Sequence, residues 1–372
     1  MKFSISKNLL LTKLQLLSKA TPTRSTLPII SSALFIIKNN TLKVRTTDLE
    51  ISINITCEVE SGEDGSVAIP LSKLLEITNA MPEVVMNFNV SDIGKINIEC
   101  NDGQYTIMGQ SNDEFPAEQK LENSKTLTVL GEELKDIINN TSYAASKDDL
   151  KPVLQGVLLQ IETNGIVSVA TDGHRLVKLE KKKLHTLDYT GSVVVPIKFL
   201  SLLNSQLKNN SDISMLIGDN HIQVQIDDVI ITTRIIKDPY PDYEGVIPKE
   251  NTKTLVINRN AFAEAVKRIS IFSNKSSRQV ALEISDNQIT ITTEDPENIT
   301  TGREIIECDY DGEPMTIGYN AVYLKEVLQH QNSDEIKIML NTPLNAGLFM
   351  PIEQIENNNK TTLLMPIRLN DQ

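Results

Sequence analysis

The sequence predicts an α+β protein of three pseudo-equivalent domains, each with two helices and two antiparallel sheets. Three observations carry this. Phe115-Pro116, Tyr240-Pro241 and Met365-Pro366 each close a strand-rich segment, and successive prolines stand 125 residues apart. Val67-Ala68-Ile69-Pro70 recurs as Val193-Val194-Val195-Pro196, and more loosely as Met315-Thr316-Ile317-Gly318. Thr47-Asp48, after one alternating strand, recurs as Thr171-Asp172 after another, 124 residues on. A period near 125 is too long for a solenoid repeat and suits a whole domain. The spacing assigns domains to residues 1–120, 126–248 and 252–372. Three copies of one domain suggest a curved or closed assembly rather than a cleft with unique chemistry.

Each third reads as two halves, a helix followed by antiparallel strands. Asn8 to Lys19 carries Leu9, Leu10, Leu14 and Leu17 at helical spacing, with lysines between them. Ile51 to Val59 alternates with period two, the signature of a strand with one buried face. Leu71 to Ala80 is the second helix, and Ile93 to Met108 is a hairpin turning at Asn101-Asp102-Gly103. The middle third repeats the plan, with helices at Gly131 to Tyr143 and Pro196 to Lys208. Its strand His221 to Ile226 ends at the turn Asp227-Asp228. The last third has helices at Asn258 to Phe272 and Tyr319 to Gln331, and a strand at Gln288 to Thr292. Polar linkers are expected at Glu118 to Lys125 and Lys249 to Lys253.

Composition bounds the rest. Of 372 residues 40% are apolar and 23% charged, enough for a core in each domain. Without Trp and with few aromatics, those cores fall to Ile, Leu and Val. Cys57, Cys100 and Cys308 are far apart with no CxxC pair, which points to buried reduced thiols in a cytoplasmic protein rather than to disulfides or a metal site. Lys7, Lys13 and Lys19 interrupt the apolar N-terminal run, so it reads as neither signal peptide nor membrane span.

A net charge of −13 argues against nucleic acid, but only if the charge is evenly spread. It is not. The six predicted helices sum to a positive charge and the remainder is more acidic than the whole. Ordinary solvated helix faces account for some of this; segregation so consistent suggests helices facing a polyanion. Side-by-side helices sit roughly 9 Å apart, so six enclose a hole only ~7 Å wide, and twelve one about 25 Å wide. Duplex DNA is about 20 Å across. One chain cannot enclose it; two can.

At this point the chain resembles the bacterial β sliding clamp family, the processivity subunit of DNA polymerase III. The resemblance rests on Arg24 with Thr26-Leu27-Pro28-Ile29, Thr47-Asp48-Leu49-Glu50, Ala170-Thr171-Asp172-Gly173-His174-Arg175-Leu176, Tyr240-Pro241-Asp242-Tyr243 and Met365-Pro366-Ile367-Arg368-Leu369, in that order and spacing. It implies three DNA-clamp domains per chain and a head-to-tail homodimeric ring around duplex DNA. It further implies a non-catalytic role, tethering the replicative polymerase, the clamp loader and other clients through peptide motifs, with no cofactor or metal. No GxxxxGK[ST] loop occurs in the chain, so opening the ring falls to a separate ATPase.

By resemblance a client-peptide pocket is walled by Leu154, Thr171, Gly173, His174, Arg175, Leu176, Pro241, Val246, Leu363, Met365, Pro366, Ile367 and Arg368. Leu, Val and Met suit an adaptable apolar groove. Gly245 and Ser277 stand where some relatives have bulkier or basic residues, which opens the rim, and Asn370-Asp371-Gln372 extend past the family's terminus toward the groove. Arg24 and Lys198 match family DNA contacts; Lys7, Lys13, Lys73, Lys147 and Lys267 are added from charge. Asp148 replaces a polar DNA contact. Tyr105 and Ile107, on an edge strand, are expected to meet Ile271 and Phe272 of a second copy. Glu180-Lys181-Lys182-Lys183 reads as a solvated strand end. The residues by themselves leave two rival readings open: an enzyme using Asp172, His174 and Arg175, and a repeat protein that binds proteins and never DNA. A turn bearing a partly exposed imidazole accounts for Asp-Gly-His without chemistry, and the four histidines, His174, His185, His221 and His330, give a triad or zinc site little support.

Overall fold

A computed structural model describes residues 1–22, 24–101, 103–184 and 189–369. Asp102, His185 and the extension Asn370-Asp371-Gln372 therefore lie outside the described residues. The first third contains β1 (Lys2–Ser6), α1 (Lys7–Leu17), β2 (Ser32–Lys38), β3 (Thr41–Thr47), β4 (Ile51–Glu58), β5 (Glu60–Glu63), β6 (Gly65–Pro70), α2 (Leu71–Ala80), β7 (Val85–Val90), β8 (Lys95–Cys100) and β9 (Gly103–Met108). The middle third contains β10 (Lys125–Leu130), α3 (Gly131–Thr141), β11 (Gly156–Glu162), β12 (Gly165–Thr171), β13 (Arg175–Lys182), β14 (Gly191–Pro196), α4 (Ile197–Asn204), β15 (Asp212–Ile217), β16 (His221–Ile226) and β17 (Val229–Arg234). The last third contains β18 (Lys253–Asn258), α5 (Arg259–Ile269), β19 (Gln279–Ser285), β20 (Gln288–Asp295), β21 (Thr300–Glu307), β22 (Asp309–Asp311), β23 (Met315–Asn320), α6 (Ala321–Gln329), β24 (Glu335–Leu340), β25 (Gly347–Pro351) and β26 (Asn358–Leu364).

All six expected helices are present, shorter at their ends because 3-10 turns finish several of them. Asn258 and Asn320 cap α5 and α6, accepting from Ala261 N and Val322 N at 2.9 Å. Where the hairpin turn was expected, Cys100 pairs with Gly103 and Asn101 has a positive φ.

The chain divides into two compact units. Met1–Gly131 with Leu202–Ile235 holds a five-stranded sheet, β5-β1-β7-β8-β9, and an eight-stranded one, β10-β15-β16-β17-β4-β3-β2-β6. Glu132–Ser201 with Ile236–Gln372 holds a nine-stranded sheet, β14-β11-β12-β13-β26-β25-β24-β18-β22, and a four-stranded one, β21-β20-β19-β23. Each third thus contributes two sheet halves, of four strands each in the middle third and of five and four in the first and last, and two of the sheets join halves from different thirds. The first unit's core includes Phe3, whose ring stacks on Phe88 at 4.6 Å. The second unit's largest core runs from Leu255 and Phe262 to Tyr319 and Phe349. Ile, Leu and Val supply most of the buried side chains.

Four expectations need correction. The third proline of the 125-residue series is not structurally equivalent to the first two. Isolated bridges mark the true register: Ala68 with Gln110, Val194 with Ile236, and Gly318 with Ile367. Phe115-Pro116 and Tyr240-Pro241 follow their bridge residues, whereas Met365-Pro366 precedes Ile367, so its spacing is coincidental. For the same reason Ile317-Gly318-Tyr319-Asn320, two residues later than expected, is the counterpart of Val67 to Pro70. The linker before β18 is not free either, because Asn251 is buried and its Nδ2 donates to Met339 O and Ala346 O, both at 2.9 Å. Finally, Lys181 is not a solvated strand end. Its amine is buried between Glu133 and Asp136 of α3; burial opposes its charge, but bonds from the two carboxylates outweigh that and raise its pKa.

Candidate functional site

The strongest repeat motif is an atom-for-atom repeat. In the β12–β13 connection Thr171 Oγ1 donates to Arg175 O (2.7 Å) and accepts from Gly173 N (3.1 Å), while Asp172 Oδ1 accepts from His174 N (2.9 Å) and Arg175 N (3.0 Å). In the β3–β4 connection Thr47 Oγ1 donates to Ile51 O (3.0 Å) and accepts from Leu49 N (3.0 Å). Asp48 Oδ1 accepts from Glu50 N (3.0 Å) and Ile51 N (2.7 Å). A short hydroxyl and a carboxylate one residue apart saturate a tight turn whose third residue has positive φ. Leu49 takes φ 77° there, and Gly173 takes 90°. A Cβ on Gly173 would meet nothing within 4 Å, so the surface is open above this turn.

Of the thirteen expected pocket residues, the structure brings three segments together. β13 pairs with β26, setting Leu176 opposite Leu363 and Arg175 opposite Leu364. Met365 N donates to His174 O (2.8 Å) and Ile367 N to Gly318 O (2.9 Å), which ties the chain's end to the turn. Leu176 and Leu363 share one apolar cluster with Leu348, Ala346 and Tyr243, and Tyr240 flanks it. Gly173, His174, Pro241, Val246, Met365 and Arg368 are exposed, Pro366 and Ile367 half-buried, and Leu154 and Thr171 buried. Gly245 is exposed beside Asp242, and Ser277 is exposed with its N–H on Asn274.

Arg175 points inward rather than forming an open wall. Its side chain is buried. Nε donates to Asp172 (3.2 Å), one terminal nitrogen pairs with Glu326, and the other donates to Tyr143 O (2.6 Å). The guanidinium lies 5.3 Å from the Tyr143 ring centroid and 4.9 Å from that of Tyr323. His174 stacks on Tyr323 at 5.6 Å, and His330 on Tyr143 at 3.8 Å. Burial lowers the His330 pKa. Arg175 is thus the strut under the turn. Tyr143, Tyr323, Glu326 and the buried Lys360 escaped the sequence reading, because they come from helices and a strand far away in sequence. Lys360 Nζ donates to Asn140 Oδ1 (2.7 Å) and to His330 O, and burial pushes its pKa down to about 8.

The expected DNA-facing cations are less bare than their count suggests. Lys13 pairs with Asp228 of the β16–β17 turn, Lys73 with Glu76 and Lys267 with Glu264. Arg24, Lys147 and Lys198 are exposed, and Lys7 is half-buried. Asp148 caps its own loop, accepting from Leu150 N at 3.0 Å. Exposed i,i+3 pairs are worth a few tenths of a kcal/mol, so a phosphate displaces them readily.

The sheet halves match one another in detail. Thr47 opposite Ser52, Thr171 opposite Leu176 and Glu294 opposite Thr301 make β4, β13 and β21 counterparts. The bridge residues Gln110, Ile236 and Ile367 make β9, β17 and β26 counterparts. β17 is paired with β4, and β26 with β13. β9 and β21 are the counterparts left over, each at a sheet edge. Tyr105 is exposed and Ile107 half-buried on β9, while Ile271 and Phe272 are exposed beside β21.

Three family descriptions match in order: the DNA polymerase III beta subunit N-terminal domain over residues 1–119, its central domain over 128–242 and its C-terminal domain over 244–368. The chain belongs to the DNA polymerase III beta subunit family. Among relatives, the beta sliding clamp of Pseudomonas putida is 28% identical over 371 residues, covering 99% of this chain and all of that one. That of Proteus mirabilis is 29% identical over 372 residues, with the same coverage. A solved Pseudomonas aeruginosa sliding clamp bound to griselimycin is 27% identical, with a TM-score of 0.90 over 99% of this chain and all of the other. The chain is therefore a sliding clamp of DNA replication, a processivity factor rather than a catalytic subunit. The enzyme reading of Asp172, His174 and Arg175 falls with that. No helix among the described residues is long and apolar enough to cross a membrane.

Proposed function

We propose that two copies of this chain close head to tail into a ring around duplex DNA, in the cytoplasm. The domains are residues 1–120, 126–248 and 252–372. The observation that carries the reading is the pair of leftover counterparts. Two of three equivalent strand pairings are made within the chain, and the third lacks only a partner. Joining β9 to β21 of another copy turns the five- and four-stranded sheets into one of nine, matching the longest sheet already present. Tyr105, Ile107, Ile271 and Phe272 form the apolar centre of that contact.

The exposed rim around Gly173, His174, Val246 and Met365 takes a short apolar peptide from the replicative polymerase, the clamp loader and other clients. Open space above Gly173, with Leu176 and Leu363 beneath, supports it. Arg24, Lys198 and the weakly paired lysines meet phosphates without reading bases, as sliding requires. Sedimentation equilibrium tests the assembly. Twice the 41.4 kDa chain mass is expected, and Ile271→Ala with Phe272→Ala shifts it to one; a wild-type monomer at micromolar concentration overturns the reading.

A further inference from the structure

The second compact unit contains a cavity of about 70 Å³ where the residues after α6 meet the β25–β26 connection. That is several times the space one water needs. Three of its lining residues are polar and buried: Asn140, Gln331 and Lys360 are 6%, 2% and 5% exposed. Their hydrogen bonds leave one donor and one acceptor over. Asn140 is complete, since Nδ2 donates to Asp136 O (2.9 Å) and Oδ1 (2.7 Å) while its own Oδ1 accepts from Lys360 Nζ (2.7 Å). Lys360 Nζ also donates to His330 O, which accounts for two of an ammonium's three N–H groups. Gln331 Nε2 donates to Thr362 Oγ1 (3.2 Å), and its buried Oε1 has no partner among the described residues. Gln354 serves neither group, because its amide pairs with the main-chain N and O of Lys360, both at 2.9 Å. A buried acceptor left bare is costly and calls for a physical reason.

We propose that this cavity binds a small neutral molecule carrying a primary carboxamide, whose oxygen accepts from Lys360 Nζ and whose N–H donates to Gln331 Oε1. The class follows from what the two groups demand. A carboxylate suits Lys360 but brings no hydrogen to Gln331 Oε1, and the exposed Glu353 in the lining repels it. An ammonium or guanidinium suits Gln331 but meets the charge of Lys360. One water satisfies both groups yet fills only a fraction of the space. A carboxamide holds acceptor and donor side by side, and Leu179, Pro351 and Ile355 offer its apolar substituent a surface. The electrostatics agree. Burial pushes the Lys360 pKa down to about 8, with Asp136 opposing, so the amine is mainly charged at pH 7 and an added acceptor favours that form.

Saturation-transfer NMR on the full chain at pH 7 tests this with acetamide, acetate and acetone, which share one size and differ in the group set against Gln331. Acetamide should give a saturable signal at concentrations on the order of millimolar, as so small a molecule allows. Acetone, which accepts but cannot donate, and acetate should each bind about tenfold more weakly, the effect of leaving one buried acceptor unpaired. Gln331→Met and Lys360→Met should each abolish the preference for acetamide, which places the binding in this cavity even if one of the two chains misfolds. Acetate or acetone binding as well as acetamide overturns the assigned donor and acceptor. A preference that survives in a folded variant puts the site elsewhere and overturns the proposal, and no saturable acetamide signal means that the cavity holds water alone.

Discussion

Replacing Lys360 by Met isolates the cost of holding an ammonium inside the second compact unit. Lys360 is 5% exposed and donates to Asn140 Oδ1 and His330 O. Burial is the larger influence and Asp136 opposes it, leaving the pKa at about 8. Against an ordinary lysine near 10.4, that corresponds to roughly 3 kcal/mol against the charged form. Because the folded value is the lower one, the unfolded chain binds more protons between about pH 8 and 10.4, and wild-type stability rises across that window. Below pH 8 both states are protonated and the slope vanishes. Met removes the charge cost but strands two buried acceptors at about 1–3 kcal/mol each, so the difference at pH 7 is small. The readout is urea unfolding of both proteins from pH 7.5 to 10.5. A chain of several domains unfolds in more than one step, so the comparison follows the transition that responds to the substitution. Wild type should gain about 3 kcal/mol on the variant between the ends of the range, other titrating groups cancelling. Parallel curves would refute the buried-ammonium account.

Arg175→Ala leaves the carboxylates of Asp172 and Glu326 uncompensated, so a loss of roughly 3–5 kcal/mol is expected, seen as a lower Tm together with weakened client-peptide binding. Gly173→Ala has room for its methyl but must hold φ 90°. It should cost about 1 kcal/mol in thermal unfolding while leaving the peptide site unblocked. Arg24→Ala and Lys198→Ala should each reduce the salt dependence of DNA contact by roughly one counterion, read from log affinity against log salt. An unchanged slope would exclude that residue from phosphate contact.

Much of the architecture was legible because it repeats. Ile51 to Val59 alternates so regularly that β4 could be placed from residues alone, and Thr47-Asp48 and Thr171-Asp172 marked two turns that share the four bonds of their hydroxyl and carboxylate to the main chain. Proline spacing misled at the third copy because Met365-Pro366 stands before its bridge residue Ile367, whereas Phe115-Pro116 and Tyr240-Pro241 stand after Gln110 and Ile236. Lys181 and Asn251 misled for another reason. A polar residue in a polar run looks solvated until a distant element, α3 or the β24–β25 connection, arrives to bury it. The inward turn of Arg175 was equally invisible, since Tyr143, Tyr323 and Glu326 reach it from sequence separations of 32 residues or more.

Topological retention on DNA is the most direct test of the ring. Labelled protein is loaded by a clamp loader onto a nicked circle, the salt is raised, and the circle is then cut once. Retention through high salt, with loss on linearisation, is the predicted result. Equal, salt-sensitive binding to circle and linear DNA would mean ordinary electrostatic contact and would contradict encirclement.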